Sequence, residues 1–139
     1  MTKQSDEVTS TIISAEPQLF VSNVLVATEF YVGKLGFTLV FSYGEPPFYA
    51  QVGRGGARLN LRRVAAPVFA EGFRAREPDA LSATLTVDHP KPLFLELQAK
   101  GVEFHQPLRT EPWGAQTFIV EDPDGNLICF SGPSPAELV

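Results

Sequence analysis

One order of elements occurs twice in this 139-residue chain, and it constrains the fold more than any single motif. In the first half, QLFVSNV (18–24) is rich in β-formers and ends at Ser22-Asn23, a good start for a helix. Val24, Ala27, Phe30, Tyr31 and Leu35 then recur at helical spacing, and Gly36 sits where a helix stops. FTLVFSYG (37–44), FYAQVG (48–53) and ARLNLRRV (57–64) read as three strands, the last two joined by a turn containing Gly53, Gly55 and Gly56. In the second half, LSATLTVDHP (81–90) is a strand leading to a helix start, with Asp88 as its expected cap. PLFLELQAKG (92–101) is an amphipathic helix ended by Gly101. VEFHQPL (102–108), QTFIVED (116–122) and NLICFSG (126–132) are three more strands. Each half is therefore strand, helix, three strands. The expected organisation is a flexible tail (1–14), a first module (15–64), a connector (65–80), a second module (81–132) and a C-terminal tail (133–139). The connector carries Phe69 and Phe73, which implies that it packs even without regular structure.

Bulk properties remove several function classes. A net charge of −5 disfavours nucleic acid, whose phosphates need clustered Lys and Arg. A single cysteine excludes an internal disulfide framework and suits a reducing compartment. Residues 1–14 lack the apolar core of a signal peptide, and no stretch approaches the apolar length of a membrane span. The expectation is a cytoplasmic protein with no membrane partner.

The two modules resemble the vicinal oxygen chelate superfamily, which includes glyoxalase I, extradiol dioxygenases, and fosfomycin and bleomycin resistance proteins. The residues that carry the resemblance are VSNVLVATEFYVGKLGF in the first half and EDPDGNLICF near the end. It implies an α+β fold in which two βαβββ modules curl into an open barrel around a cleft, with helices outside. Alternation then sorts the strands. Leu59 and Leu61 face the helices, so Arg58, Asn60 and Arg62 face the cleft. Glu16, Gln18, Phe20 and Ser22 face inward on the first strand, Ser82, Thr84 and Thr86 on the fifth, and Leu127, Cys129 and Ser131 on the last.

In metal-dependent relatives four inward positions hold His, Glu or Gln. The resemblance maps them to Glu16, Asn60, Ser82 and Cys129. Only Glu16 is a good divalent-metal donor, so neither a metal nor another cofactor is expected. Cys129 stands where metalloenzyme relatives place a carboxylate. As a nucleophile it would need a nearby base or cation, which Arg58 or Arg62 could supply; the alternative is a small, inert core residue.

The stretch EPWG (111–114) holds the sole tryptophan. Bleomycin resistance proteins are similar here, with a Pro-Trp-Gly before the penultimate strand and a DP-x-GN turn after it. That likeness implies a binding protein that sequesters its ligand, and a homodimer with exchanged first strands and grooves at the interface. An indole on a loop offers a stacking face and one N–H donor; the competing reading is a core residue capping the barrel end. Expected ligand contacts are Trp113, Phe48 and Phe20 (with Tyr49 beside Phe48) for stacking. Gln18, Asn60 and Arg62 would orient polar groups, with Cys129 in the same cleft. Arg58 and Arg62, unless paired with Glu16, suit a neutral or acidic aromatic ligand. Two other readings stay open: a metal-dependent glyoxalase-type lyase or dioxygenase using Glu16, and a structural dimer with an empty cleft.

Overall fold

The computed structural model describes residues 7–135; residues 1–6 of the expected N-terminal tail and 136–139 of the expected C-terminal tail lie outside the described residues. The first module contains β1 (Gln18–Val21), α1 (Val24–Glu29), β2 (Thr38–Gly44), β3 (Pro47–Arg54) and β4 (Ala57–Arg63). The second contains β5 (Ala83–Thr86), α3 (Pro90–Ala99), β6 (Phe104–Thr110), β7 (Ala115–Glu121) and β8 (Leu127–Pro133), and a short α2 (Phe73–Arg76) lies between them. Each module forms a mixed four-stranded sheet of equivalent order, β1-β4-β3-β2 and β5-β8-β7-β6. In each, the first strand runs parallel to the last because a helix intervenes, and the remaining pairs are antiparallel. The fold is α+β with two βαβββ modules.

Local chemistry sets the helix ends. Asn23 is extended, and its side-chain oxygen accepts from the Val26 amide at 3.1 Å, capping α1. The helix continues past Glu29 as a π-helical turn, Phe30–Lys34, so the expected single helix over 24–36 is a composite. Gly36, at φ 74°, then allows the chain to reverse into β2. The second helix begins at Pro90, one residue later than a cap at Asp88 implies. His89 occupies its cap position without a side-chain bond, whereas Asp88 lies 3.3 Å from the His89 ring. Pro90 suits the first turn because its missing N–H has no helical acceptor there.

The helix-side faces of both sheets merge into one core. Leu19, Val21, Ala50, Val52, Leu59 and Leu61 come from the first sheet, and Ala83, Phe118, Val120, Ile128 and Phe130 from the second. Leu97 and Phe94 of α3 pack on the latter, with Phe94 5.6 Å from Phe118 and Phe118 stacked on Phe130 at 4.9 Å. Because both helix sides are used in this core, the two opposite sheet faces point away from each other.

A polar knot ties the modules together. The buried Asp122 carboxylate accepts from the Tyr31 hydroxyl (2.9 Å), the amides of Asp124 and Asn126, and the Asn126 side chain. Asn126 also donates to the Phe20 carbonyl, and Asp124 accepts from the Ser22 amide, each at 3.0 Å. Tyr31 and the DPDGN turn (122–126) thus form one structural device. A second tie is the two-pronged Arg54–Glu96 pair, 2.8 and 2.9 Å, with Arg54 also donating to the Leu35 carbonyl.

The connector does pack. Phe69 and Phe73 stack at 5.4 Å, and the Arg74 guanidinium lies 5.0 and 5.7 Å from their ring centres. Arg74 donates to the carbonyls of Glu77, Ala80 and Gly125, pinning the connector to the β7–β8 turn. Among the described residues no helix is long and apolar enough to cross a membrane.

Candidate functional site

The outward face of the second sheet carries a cavity of about 510 Å³. Register defines its floor. Thr84, Cys129, Ile119 and Gln106 form one row across the four strands, and Thr86, Ser131, Thr117 and Arg109 form the next. Ile119, Cys129 and Leu127 make a small buried apolar cluster separate from the main core. Hydroxyls of Thr84, Thr117 and Ser131 line the floor, Asp79 of the connector and Leu81 just after it line one side, and Trp113 lines the rim.

Trp113 is placed by a tight turn. The Glu111 amide donates to the Ala115 carbonyl (2.7 Å), the Gly114 amide to the Glu111 carbonyl (2.9 Å), and Gly114 takes φ 103°. The indole projects from this turn and is 73% exposed, so it is not core. Glu111, from the same turn, points inward. Its side chain is only 10% exposed, and it accepts from Thr117 Oγ1 at 2.8 Å and Arg109 Nε at 3.1 Å. The Thr117 hydrogen bond, with a further contribution from Arg109, holds the Glu111 carboxyl below its ordinary range. Asp79, at the mouth, lies 2.9 Å from His105 Nε2.

Cys129 is buried in this floor. Burial first, and the nearby Glu111 charge second, push its thiol up, with Arg109 opposing. It is a neutral thiol at physiological pH, which suits an inert apolar role and not a nucleophile. The expected help from Arg58 or Arg62 is absent: Arg58 donates to carbonyls of its own turn, and Arg62 donates to the Arg63 carbonyl on the other sheet.

The remaining expected contacts lie on the outward face of the first sheet. Gln18, Asn60, Gln51 and Phe41 form one row, and Phe20, Arg62, Tyr49 and Tyr43 form the adjacent one. Phe41 packs with Tyr43 (5.4 Å) and stacks on Tyr49 (6.1 Å), an aromatic platform beside Phe20 and Arg62. Phe48 is the extra residue where the β2–β3 register shifts, and its ring lies over Gly44. Within one chain, then, Trp113 and Cys129 come together, Gln18, Phe20, Asn60 and Arg62 come together, and the two groups occupy different sheets. A larger cleft of about 1060 Å³ between the modules is lined by Phe37, Leu85, Leu93 and the Arg54–Glu96 pair, and contains none of the expected ligand contacts.

The four positions used for metal by some relatives do not fit one here. Glu16 accepts from Gln51, which also donates to Asn60. In the second module Ser82 donates to Asn126, and burial pushes the Cys129 thiol up. Among the described residues no three His, Cys, Asp or Glu side chains converge as a metal site. Glu16 also makes no ion pair with Arg58 or Arg62; its oxygens are engaged by Ser14 and Gln51.

Sequence reasoning did not weigh Glu111, Asp79 or Arg109 as cavity residues. Glu111 sits two residues before Trp113 in the quoted EPWG turn, and that adjacency was the available signal. Asp79 reaches the cavity only through the connector's path, which no local pattern encodes.

A family model described as the glyoxalase/bleomycin resistance protein/dioxygenase superfamily matches residues 12–130. The chain belongs to this superfamily. Solved structures with the same fold include the bleomycin-binding protein of bleomycin-producing Streptomyces verticillus, complexed with copper(II)-bleomycin. It is 25% identical, with a TM-score of 0.69 over 91% of this chain and all of that one. TioX from Micromonospora sp. ML1 is 23% identical with a TM-score of 0.68, over 86% of this chain and 97% of its own. The bleomycin resistance determinant encoded on transposon Tn5 is 18% identical with a TM-score of 0.69, over 88% and 99%. No curated protein sequence matches significantly. As a superfamily member the chain shares its two-module scaffold with proteins of several chemistries, so function must be argued from the cavity.

Proposed function

We propose that this superfamily member is a small-molecule-binding protein of the bleomycin resistance type. It captures a partly aromatic ligand, such as an antibiotic, against Trp113, and it acts as a homodimer. The observation that carries this reading is a 73% exposed indole on the rim of an apolar-floored, hydroxyl-lined cavity. An indole offers a flat face and one N–H donor, which suits a planar ring at a cavity rim. Similarity to a protein that binds copper(II)-bleomycin supports the ligand class.

The homodimer supplies what one chain separates. The outward face of the first sheet in a second copy would bring Phe20, Gln18, Asn60 and Arg62, with Tyr49 and Tyr43, to the cavity of the first copy. Phe48, displaced from these rows by the register shift, would lie beside them. The exchanged segment would be the first strand, which within one chain pairs with β4, together with the arm ahead of it. In that arm Val8, Ile12 and Ile13 are uncovered.

The test is a fluorescence titration with bleomycin and a panel of planar aromatic antibiotics, alongside thermal melts and metal analysis. Saturable quenching of the sole tryptophan, with stabilisation by the same compound, is expected. No response across the panel, together with stoichiometric tight binding of a divalent metal, would overturn the reading in favour of a metal-dependent enzyme.

A further inference from the structure

We infer that Arg62 of the partner subunit pairs with Asp79 at the cavity mouth, so that one ion pair closes each of two symmetric binding sites. The inference rests on the homodimer reading above. Its grounds are charge and exposure on the two outward sheet faces.

On the first sheet, Arg62 is exposed, and among the described residues its one hydrogen bond is a 3.3 Å contact to the neighbouring Arg63 carbonyl. Among the described residues no carboxylate lies within ion-pair distance of it. It stands in the aromatic row Phe20, Tyr49 and Tyr43, where Phe20 and Tyr43 are themselves exposed. A guanidinium set among exposed rings is typical of an interface centre rather than a solvated rim.

On the second sheet, the cavity carries two carboxylates, Asp79 and Glu111, against one guanidinium, Arg109. Arg109 is already committed to Glu111 at 3.1 Å. Asp79 is 79% exposed, and its one ring contact, His105, leaves a carboxylate face open at the mouth. One face thus has a spare cation and the other a spare anion. In a two-fold dimer the contact of position 62 with position 79 occurs twice by symmetry, so the complementarity is doubled.

The experiment measures self-association by sedimentation velocity for wild type, Arg62→Asp, Asp79→Arg, and an equimolar mixture of the two variants. Circular dichroism verifies folding; Arg62→Gln and Asp79→Asn replace any variant that does not fold. Wild type is expected to dimerise, more weakly as salt is raised. Each single variant, which opposes like charges at both contacts, is expected to associate roughly tenfold to a hundredfold more weakly. The mixture should recover, because a dimer of one Arg62→Asp chain and one Asp79→Arg chain again opposes unlike charges at both contacts. Wild-type association in both single variants overturns the pairing while leaving the dimer standing. A monomeric wild type at every concentration overturns both, whereas tryptophan quenching of that monomer would leave ligand binding intact.

Discussion

Replacing Tyr31 by Phe isolates the knot that joins the modules. Tyr31 is fully buried, and its hydroxyl donates at 2.9 Å to Asp122, itself 3% exposed. The substitution keeps the ring and its edge contacts with Phe30 and Phe37, at 5.2 and 6.0 Å, so no cavity term enters. It removes one hydrogen bond to a charged acceptor, worth about 1.5–3 kcal/mol. Asp122 retains three donors from Asp124 and Asn126, which places the expected loss near the middle of that range, about 2 kcal/mol. For a chain of this length that corresponds to a fall in Tm of roughly 5–8 °C. The loss should also depend on pH in a definite direction. Burial raises the Asp122 carboxyl above its ordinary range, against the lowering effect of its hydrogen bonds, including that from Tyr31. A carboxyl with a raised folded pKa contributes stability that is present below its unfolded pKa and lost as pH rises through the folded value. Without the Tyr31 donor the folded pKa rises further. The gap between wild type and variant should therefore widen as pH increases through the carboxylate range and narrow in acid. Urea unfolding of both proteins across a pH series measures this. A destabilisation below about 0.5 kcal/mol at neutral pH, or a gap that grows in acid, would refute the assignment of the knot as a cross-module tie.

Four further outcomes follow from the same geometry. Trp113→Ala should leave the melting curve nearly unchanged, within about 0.5 kcal/mol for an exposed side chain, while abolishing ligand-induced stabilisation; a large loss of stability would show the indole to be structural. Cys129 should resist alkylation by iodoacetamide in the native protein at neutral pH and react on unfolding, because its thiol is buried and its pKa raised. Glu111 has a lowered folded pKa, so its contribution is present above the unfolded pKa and lost as pH falls through the folded one; Glu111→Gln should flatten the acid limb of stability against pH, read by thermal melts. Gly132→Ala should destabilise by about 3 kcal/mol in urea titrations, since a Cβ there would run into the Val87 carbonyl and lie 2.8 Å from the Pro90 ring.

Which parts were legible in the sequence depended on the range of the interactions that encode them. The eight expected strands appear near where alternation places them, and both helices occupy their expected segments, the first as an α–π composite, because alternation and helical spacing are local records of one buried face. Leu59 and Leu61 face the helix-side core, and Asn60 and Arg62 the opposite face of the sheet, as alternation requires. Errors arose where a local signal met a competing contact. The cap expected at Asp88 moved to His89 once Pro90 took the first helical position. Phe48 left the aromatic row because a bulge displaced it, whereas Tyr49 stayed in register with Arg62 and Tyr43.

The sequence by itself determined the two-module fold and the placement of Trp113 in a turn, since both follow from residue order and turn chemistry over a few positions. Only the tertiary structure decided that DPDGN is a knot holding Tyr31, that Asp79 and Glu111 furnish the cavity, and that the candidate contacts divide between two sheets facing apart. Those facts depend on how two separately encoded sheets use their helix sides to build one shared core, and a pattern within either module carries no record of that choice.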